Sequence, residues 1–421
     1  MATGPINSVI DVAIVGGGAA GLATAIFVAR QNPTLRVVVL DGAKKLGAKI
    51  LISGGGRCNV TNDIVTSNDF WGGSRHVIRR ALDAFPVAQT VAFFREIGVS
   101  LHVEPGGKMF PDTNKARTVL DALLGEAGRC GVDCRTEHRI TGIERRGNQF
   151  TVSSPAGEIA ARYVVLATGG RSVPKTGSDG FGYRLAESLG HSLVPQTPAL
   201  VALALDGDFH TALSGVSQDV ELTVRVDGSK PVRLQGALLW THFGVSGPVV
   251  LNASRHWHAA ILQNRPVTIS INMLHGDSFD AADRRLVELT TGQPRAALHN
   301  AVANLIPARV SLAVTERLAL NPQIPIGQLS RDARRRLAQA LIERPLPVRA
   351  SRGFQFAEVT AGGVPLDEID PRTMESRKCP GLFLVGEILD VDGRIGGFNF
   401  QWAWSSGYVA GVGAALGQRR D

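Results

Sequence analysis

The sequence predicts an α/β fold in which a discontinuous dinucleotide-binding domain is interrupted by an antiparallel β-barrel-like domain and a small helical domain. Three observations carry that prediction. Residues 9–15 form an apolar run that leads into Gly16-Gly17-Gly18-Ala19-Ala20-Gly21, the pattern of a buried strand, a tight turn and a helix start. Near the other end, residues 381–385 run into Gly386-Glu387, cross a glycine-rich loop to Gly397 and enter a second helix at Asn399 and Phe400. Between these two halves the periodicity changes first to strands without helices and then to helices without strands.

In the first turn Gly16 permits the bend, Gly18 lets the backbone approach a pyrophosphate, and Gly21 lets helix and strand pack closely. The phosphates then sit on a helix N-terminus. Residues 36–40, Arg-Val-Val-Val-Leu, read as a second buried parallel strand. Asp41 stands at its end, about 20 residues after Gly21, where an acid accepts hydrogen bonds from a ribose. An ordinary turn with a surface aspartate is the alternative, and the flanking strands argue against it.

Lys49 precedes Ser53-Gly54-Gly55-Gly56-Arg57-Cys58-Asn59-Val60-Thr61-Asn62. Three consecutive glycines among polar residues suit a backbone that passes close to a planar ring or an anion; a merely flexible loop is the alternative. Cys58 has no second cysteine nearby, so it reads as a small packing group and not as half of a redox dithiol. Residues 132–143 and 149–153 read as strands of a small meander turning at 145–148. The apolar run 162–166 enters Thr168-Gly169-Gly170 and returns the chain to the cofactor. The glycines of 177–182 have the wrong spacing for a second fingerprint, which leaves one dinucleotide site.

The runs 199–205, 220–226 and 266–272 have no helices between them and suggest an antiparallel sheet or barrel. Helical spacing follows at 283–289, 296–306 and 313–320, and in a last helix capped by Ser330. The expected division is therefore 1–190 and 355–421 for the cofactor domain, 191–277 and 344–354 for the barrel-like domain, and 278–343 for the helical domain.

A chain of 421 residues is too long for one compact core. Hydrophobic content of 44% and 48 glycines indicate a globular, turn-rich protein. Asp11 and the glycine turn interrupt the apolar start, so it reads as strand and helix and not as a leader or an anchor. The expectation is a soluble, cytoplasmic protein without a membrane partner. Cys58, Cys130, Cys134 and Cys379 are too few and too irregularly spaced for a disulfide framework or a zinc site. The net charge is +8, and seven arginines stand against Asp332 and Glu343 between Ser330 and Arg352. A solvated helix face is the plain reading of that stretch; an anionic substrate, a nucleic acid or a protein partner is the alternative.

Together with Thr241-His-Phe-Gly-Val-Ser-Gly-Pro248 and Val359-Thr-Ala-Gly-Gly-Val364, the two glycine segments and the 386–401 segment resemble the aminoacetone oxidase and BaiN-type flavoproteins. The resemblance runs from the first strand to the last helix. It implies a Rossmann-like domain in two parts that holds FAD without a covalent bond, with the barrel-like and helical domains inserted. On that pattern Ala19 and Ala20 meet the pyrophosphate, Asp41 the adenosine ribose, and Ile140 the adenine through its backbone. Glu387 faces the ribityl or phosphate side, and Asn399 and Phe400 lie near the flavin. Asp41 departs from the glutamate common at its position and reaches less far. Thr168, Gly169, Gly386 and Gly397 complete the expected cradle with Lys49, Gly54, Gly55 and Arg57.

The resemblance implies an oxidoreductase acting on a small organic substrate, by oxidation of an amine or by reduction of an activated double bond with NAD(P)H as a transient donor. A nucleic-acid-associated flavoprotein that modifies RNA is the alternative, disfavoured because the basic stretch has no interleaved aromatic residues and no RNA-binding motif. A non-catalytic FAD-binding protein is a third reading. His242 reads as an acid or base, or as a structural histidine. Arg394 reads as an anion ligand or a salt-bridge partner, and the catalytic residues stay unassigned.

Overall fold

The computed structural model describes residues 9–417; the ends of the expected cofactor domain, 1–8 and 418–421, lie outside the described residues. The chain divides into two compact units, one reaching to Thr197 and resuming at Val359, the other Pro198–Glu358.

The first unit is built on a parallel sheet. Strand β1 (Ile10–Val15) pairs with β2 (Val37–Leu40) on one side and with the second half of the Gly157–Leu166 strand on the other. Asp133–Arg135 adds beyond β2, and Leu382–Leu384 adds beyond 164–166, both parallel. Every residue of β2 is buried, which fits its β-branched run to a sheet covered on both faces. The first half of the 157–166 strand instead pairs antiparallel with Gln149–Ser154, which pairs with Gly142–Arg146. The strand expected over 132–143 is thus broken. Glu137 adopts a left-handed φ of 58°, and Glu137 and His138 donate their N–H groups to Ala43 and Asp41 carbonyls at 3.0 and 2.8 Å. That detour carries Ile140 alongside the chain leaving β2.

Helix α1 (Ala19–Gln31) and the C-terminal helix (Phe398–Gly417) pack together in this unit. The sequence supplies small residues where they meet. A Cβ added at Gly407 would lie 3.0 Å from the Ala20 carbonyl oxygen, and one at Gly411 would lie 2.7 Å from Phe27 Cβ. Its two tryptophans face other neighbours: Trp402 donates its indole N–H to the Gly386 carbonyl at 3.1 Å, and Trp404 donates to that of Val60 at 2.9 Å.

The second unit has a seven-stranded antiparallel sheet and a separate hydrophobic core. Its edge strands, Arg344–Leu346 and Val348–Ser351, are joined through Pro347 alone, so the sheet curls until its two edges nearly meet. The helices Phe279–Gly292, Ala308–Arg317 and Arg331–Ile342 bury Leu286, Val310 and Leu337 in the same core as Val220, Leu222 and Trp240. Ser330 caps the last of them by accepting from the Ala333 N–H. The strand expected over 199–205 is interrupted by Leu200 at φ 52°, and the helix expected over 296–306 shortens to Leu298–Val302 ahead of Pro307.

Burial pushes His258 down to about 4, and its Nε2 lies 2.8 Å from Ser351 Oγ. An unfolded histidine takes up its proton near pH 6.5, the folded one near 4. Its contribution to stability is therefore complete above pH 6.5 and is lost as pH falls toward 4, by at most about 1.4 kcal/mol per pH unit. Urea unfolding between pH 7 and pH 4.5 is expected to show this loss, and His258→Gln is expected to flatten the slope.

Candidate flavin-binding site

The turn after β1 is held by its glycines. Gly16 has φ +109°, and a Cβ there would collide with the Ala167 carbonyl oxygen. A Cβ on Gly21 would collide with the Gly16 oxygen, so the first helical turn presses directly on the turn before it. At Gly18 the situation is reversed: a Cβ would meet nothing within 4 Å. Helix α1 has no acid in its first turn and no side-chain cap at Gly18. Its first N–H groups, from Ala19 through Gly21, have no acceptor within the helix, and the space beside Gly18 is free of protein atoms, an arrangement suited to an anion.

Asp41 braces the same turn. Its Oδ2 accepts from the Gly17 N–H at 2.7 Å and its Oδ1 from the Ala43 N–H at 2.8 Å. Each oxygen retains a second acceptor position. The His138 N–H bonded to the Asp41 carbonyl brings the segment leading to Ile140 to this end of the site. Thr168 and Gly169 follow the 157–166 strand, whose Ala167 N–H donates to the Val15 carbonyl at 2.9 Å. Gly386, at φ 71°, abuts α1, since a Cβ there would lie 2.8 Å from Ala20 Cβ.

Four distant segments converge on Lys49 and Glu387. Lys49, in α2 (Ala48–Ile52), places Nζ 2.7 Å from Glu387 Oε2 and 2.8 Å from Ser172 Oγ. Glu387 Oε1 accepts from Ser172 Oγ at 2.7 Å and from the Thr360 N–H at 2.9 Å. Thr360 Oγ1 in turn accepts from the N–H groups of Arg171 and Ser172. Both charges are partly covered, with side-chain exposures of 28% and 17%, so the pair is more than a screened surface contact.

The glycine loop after α2 has φ of 55°, 69° and 85° at Gly54, Gly55 and Gly56, a left-handed run that side chains with a Cβ tolerate poorly. All three are exposed. Arg57 is engaged elsewhere: it pairs with Glu104 at 2.6 Å and lies over the Phe110 ring at 3.9 Å. Cys58 is fully buried, and burial pushes its thiol up to about 12. Asn59 is buried beside the loop with its Oδ1 lacking a protein partner, so an acceptor is available where a ligand's donor would arrive.

The C-terminal helix begins at Phe398 with no acid in its first turn. The Asn399 side chain accepts from the Gly393 N–H at 2.8 Å and donates to the Gly393 carbonyl at 2.9 Å, which fixes the loop that enters the helix. Gly397 sits against the Thr61 backbone, and Phe400 stacks on Trp404 at 5.6 Å. Arg394 forms a salt bridge with Asp69 at 2.8 Å, one of its two expected roles. His242 is exposed in the second unit, its ring edge-on to Phe243.

These features fit FAD. An open backbone approach at a helix N-terminus, an acid at the end of β2, exposed left-handed glycines and a second helix start with no acid in its first turn are what a long, polar, anionic cofactor needs. Ser172, Ser178 (its Oγ 3.4 Å from Lys49 Nζ), Thr360, Glu104 and Asn59 were not singled out by the sequence. Asn59 and Thr360 lie inside the quoted motifs and could have been read from them; Ser172, Ser178 and Glu104 have no distinctive sequence signal.

Replacing Gly18 by valine is expected to abolish FAD retention while leaving the fold intact, because the added carbons enter open space and not the core; absorbance of the purified protein and its urea midpoint test both halves. Cys58→Ser is expected to retain FAD and to be reduced at an unchanged rate. At pH 8 the buried thiol, with its proton held to about 12, is expected to resist iodoacetamide in the folded protein and to react only after unfolding.

The family model described as "HI0933-like protein Rossmann domain" matches residues 10–413. A 3-dehydro-bile acid delta(4,6)-reductase from Clostridium scindens is 31% identical over 96% of this chain and 98% of its own. A ribosomal RNA dihydrouridine synthase from Escherichia coli K12 is 32% identical over 95% of this chain and 96% of its own. Among solved structures, a 3-ketosteroid delta1-dehydrogenase from Sterolibacterium denitrificans covers 97% of this chain and 100% of its own at TM-score 0.51 and 13% identity. An E. coli quinol fumarate reductase covers 97% and 70% at TM-score 0.51 and 17% identity. These two structures bear on the fold alone. The match across nearly the whole chain, joined to a site shaped for a flavin dinucleotide, places this chain in the HI0933-like Rossmann family of FAD-dependent oxidoreductases.

Proposed function

We propose that the protein is a FAD-dependent reductase of a carbon–carbon double bond conjugated to a carbonyl in a small organic substrate, with NAD(P)H as the transient electron donor. The observation that carries this reading is the pair of near-full-length relatives. Their names specify different substrates, a 3-oxo steroid and an RNA uridine, yet both describe saturation of a double bond in conjugation with a carbonyl. Amine oxidation finds no counterpart in those names.

Gly16, Gly18, Ala19, Ala20 and Gly21 would hold the pyrophosphate, Asp41 the ribose and the Ile140 backbone the adenine, with Thr168, Gly169 and Gly386 closing the cradle. Lys49, Gly54, Gly55, Glu387, Gly397, Asn399 and Phe400 would line the flavin side, with Arg57 bracing the glycine loop through Glu104. Bound FAD supplies hydride chemistry that no side chain provides. The chain contributes orientation and charge: the N-terminus of the 398–417 helix favours negative charge beside it, and Lys49 is kept in place by Glu387.

A second reading, reduction of uridine in RNA, is supported by the E. coli relative's name and by one structural observation. Aromatic rings absent from the basic stretch of sequence are brought to it by the fold: Arg335 lies over Phe279 at 4.7 Å and Arg344 over Phe209 at 3.5 Å.

The test is anaerobic. NADPH or NADH is expected to bleach the flavin, and a 4-en-3-one steroid is expected to restore its colour without air. Bleaching by amines, with recovery only on admitting oxygen, would replace the proposal with amine oxidation. Recovery with a uridine-containing ribosomal RNA fragment and with no free enone would replace the small substrate with RNA.

A further inference from the structure

The second unit carries an arginine that its own fold leaves available. Arg352 lies over the Phe356 ring at 3.5 Å and near the Phe243 ring at 4.8 Å. It is exposed, and among the described residues it has no salt-bridge partner. Three other arginines of this unit do have carboxylate partners: Arg334 with Asp283, Arg225 with Glu343, and Arg349 with Asp206.

The backbone holds this arrangement. The Arg352 N–H donates to the Ala202 carbonyl at 3.1 Å. Gly353, at φ +68°, turns the chain so that the N–H groups of Phe356 and Ala357 both donate to its carbonyl at 3.1 Å. Ser351 Oγ accepts from the Gly353 N–H at 3.1 Å and meets His258 Nε2 at 2.8 Å. The turn folds the phenyl ring back over the guanidinium, although Phe356 itself is 53% exposed. Phe243 comes from the Thr241–Pro248 motif, whose role the flavin cradle leaves unexplained.

Stacking covers a face of the guanidinium and leaves its N–H edge, which is the part that recognises a carboxylate or a phosphate in its plane. An exposed phenyl beside that edge suits an adjoining flat or apolar group. We infer that Arg352, stacked on Phe356 and flanked by Phe243, is an oxyanion-binding site for a molecule that carries a carboxylate or a phosphodiester next to an apolar or planar ring. This inference rests on the reading of the protein as a double-bond reductase only for the identity of the ligand; the site itself is tested by binding.

The probes are a 4-en-3-one steroid with a side-chain carboxylate, its methyl ester, and a single-stranded uridine dodecamer, each titrated calorimetrically into the FAD-loaded protein at low salt. Tighter binding of the carboxylate than of its ester, by about tenfold, is expected if the carboxylate is the natural anion; binding of the dodecamer with no carboxylate preference assigns the phosphodiester instead. In either case Arg352→Gln is expected to remove the anion-dependent part and to leave ester binding unchanged. Arg352→Lys is expected to restore less than half of it, and Phe356→Ala to weaken it several-fold. FAD content and reduction by dithionite are expected to be unchanged in all three variants. Anion preference that survives Arg352→Gln, or the absence of binding by all three probes, would overturn the site. Loss of double-bond reduction with intact anion binding would overturn the reductase reading and leave the site standing.

Discussion

The close approach of α1 to the C-terminal helix is the constraint on which the cofactor-binding unit depends. These helices begin at the two N-termini that the candidate site offers, and they come from opposite ends of the sequence. Gly407 and Gly411 leave room for the α1 backbone, and Trp402 ties the second helix to the Gly386 carbonyl. A side chain at Gly411 would need Phe27 to move inside a packed core, a change of the kind that typically costs about 1–3 kcal/mol. Displacing one helix would also move one N-terminus relative to the other. Packing and ligand geometry are therefore set by the same few small residues.

The Lys49 and Glu387 pair does comparable work with charge. Beside a phosphate-bearing cofactor, as proposed above, an unpaired lysine would be free to reposition and an unpaired carboxylate would repel the ligand. Joining the two neutralises the carboxylate's field and fixes the ammonium, while Ser172 and the Thr360 N–H satisfy the remaining oxygen. Partly covered, hydrogen-bonded pairs of this kind are costly to break on one side only. The arrangement therefore serves orientation more than net stability.

Much of this was legible in the sequence because it depends on backbone, and glycine advertises backbone demands. Gly16, Gly21 and the Gly54–Gly56 run fall where the fold requires a left-handed turn or contact at backbone distance. The parallel strands were equally legible, since burial on both faces forces the continuous β-branched run of β2. Side-chain destinations were much less so. Arg57 and Arg394 sit in conspicuous motifs, yet their guanidiniums go to Glu104 and Asp69, acids whose positions in the chain give no hint of the pairing. The breaks at Glu137 and Leu200 were invisible because non-glycine residues at positive φ carry no local signal; each is held by contacts from distant parts of the chain.

The second unit stands on a core of its own. Its core, with Trp240, Leu286, Val310 and Leu337, is separate from the core beneath the dinucleotide turn. Substitutions on its surface therefore leave undisturbed the glycines and the helix starts on which a flavin depends. An exposed turn such as 351–357 is held mainly by its own backbone bonds and by His258, so the residues it displays are free to change while its shape persists. A conjugated double bond needs the same hydride whether it belongs to a steroid or to a pyrimidine. On the reading proposed above, what must differ is recognition of the rest of the molecule.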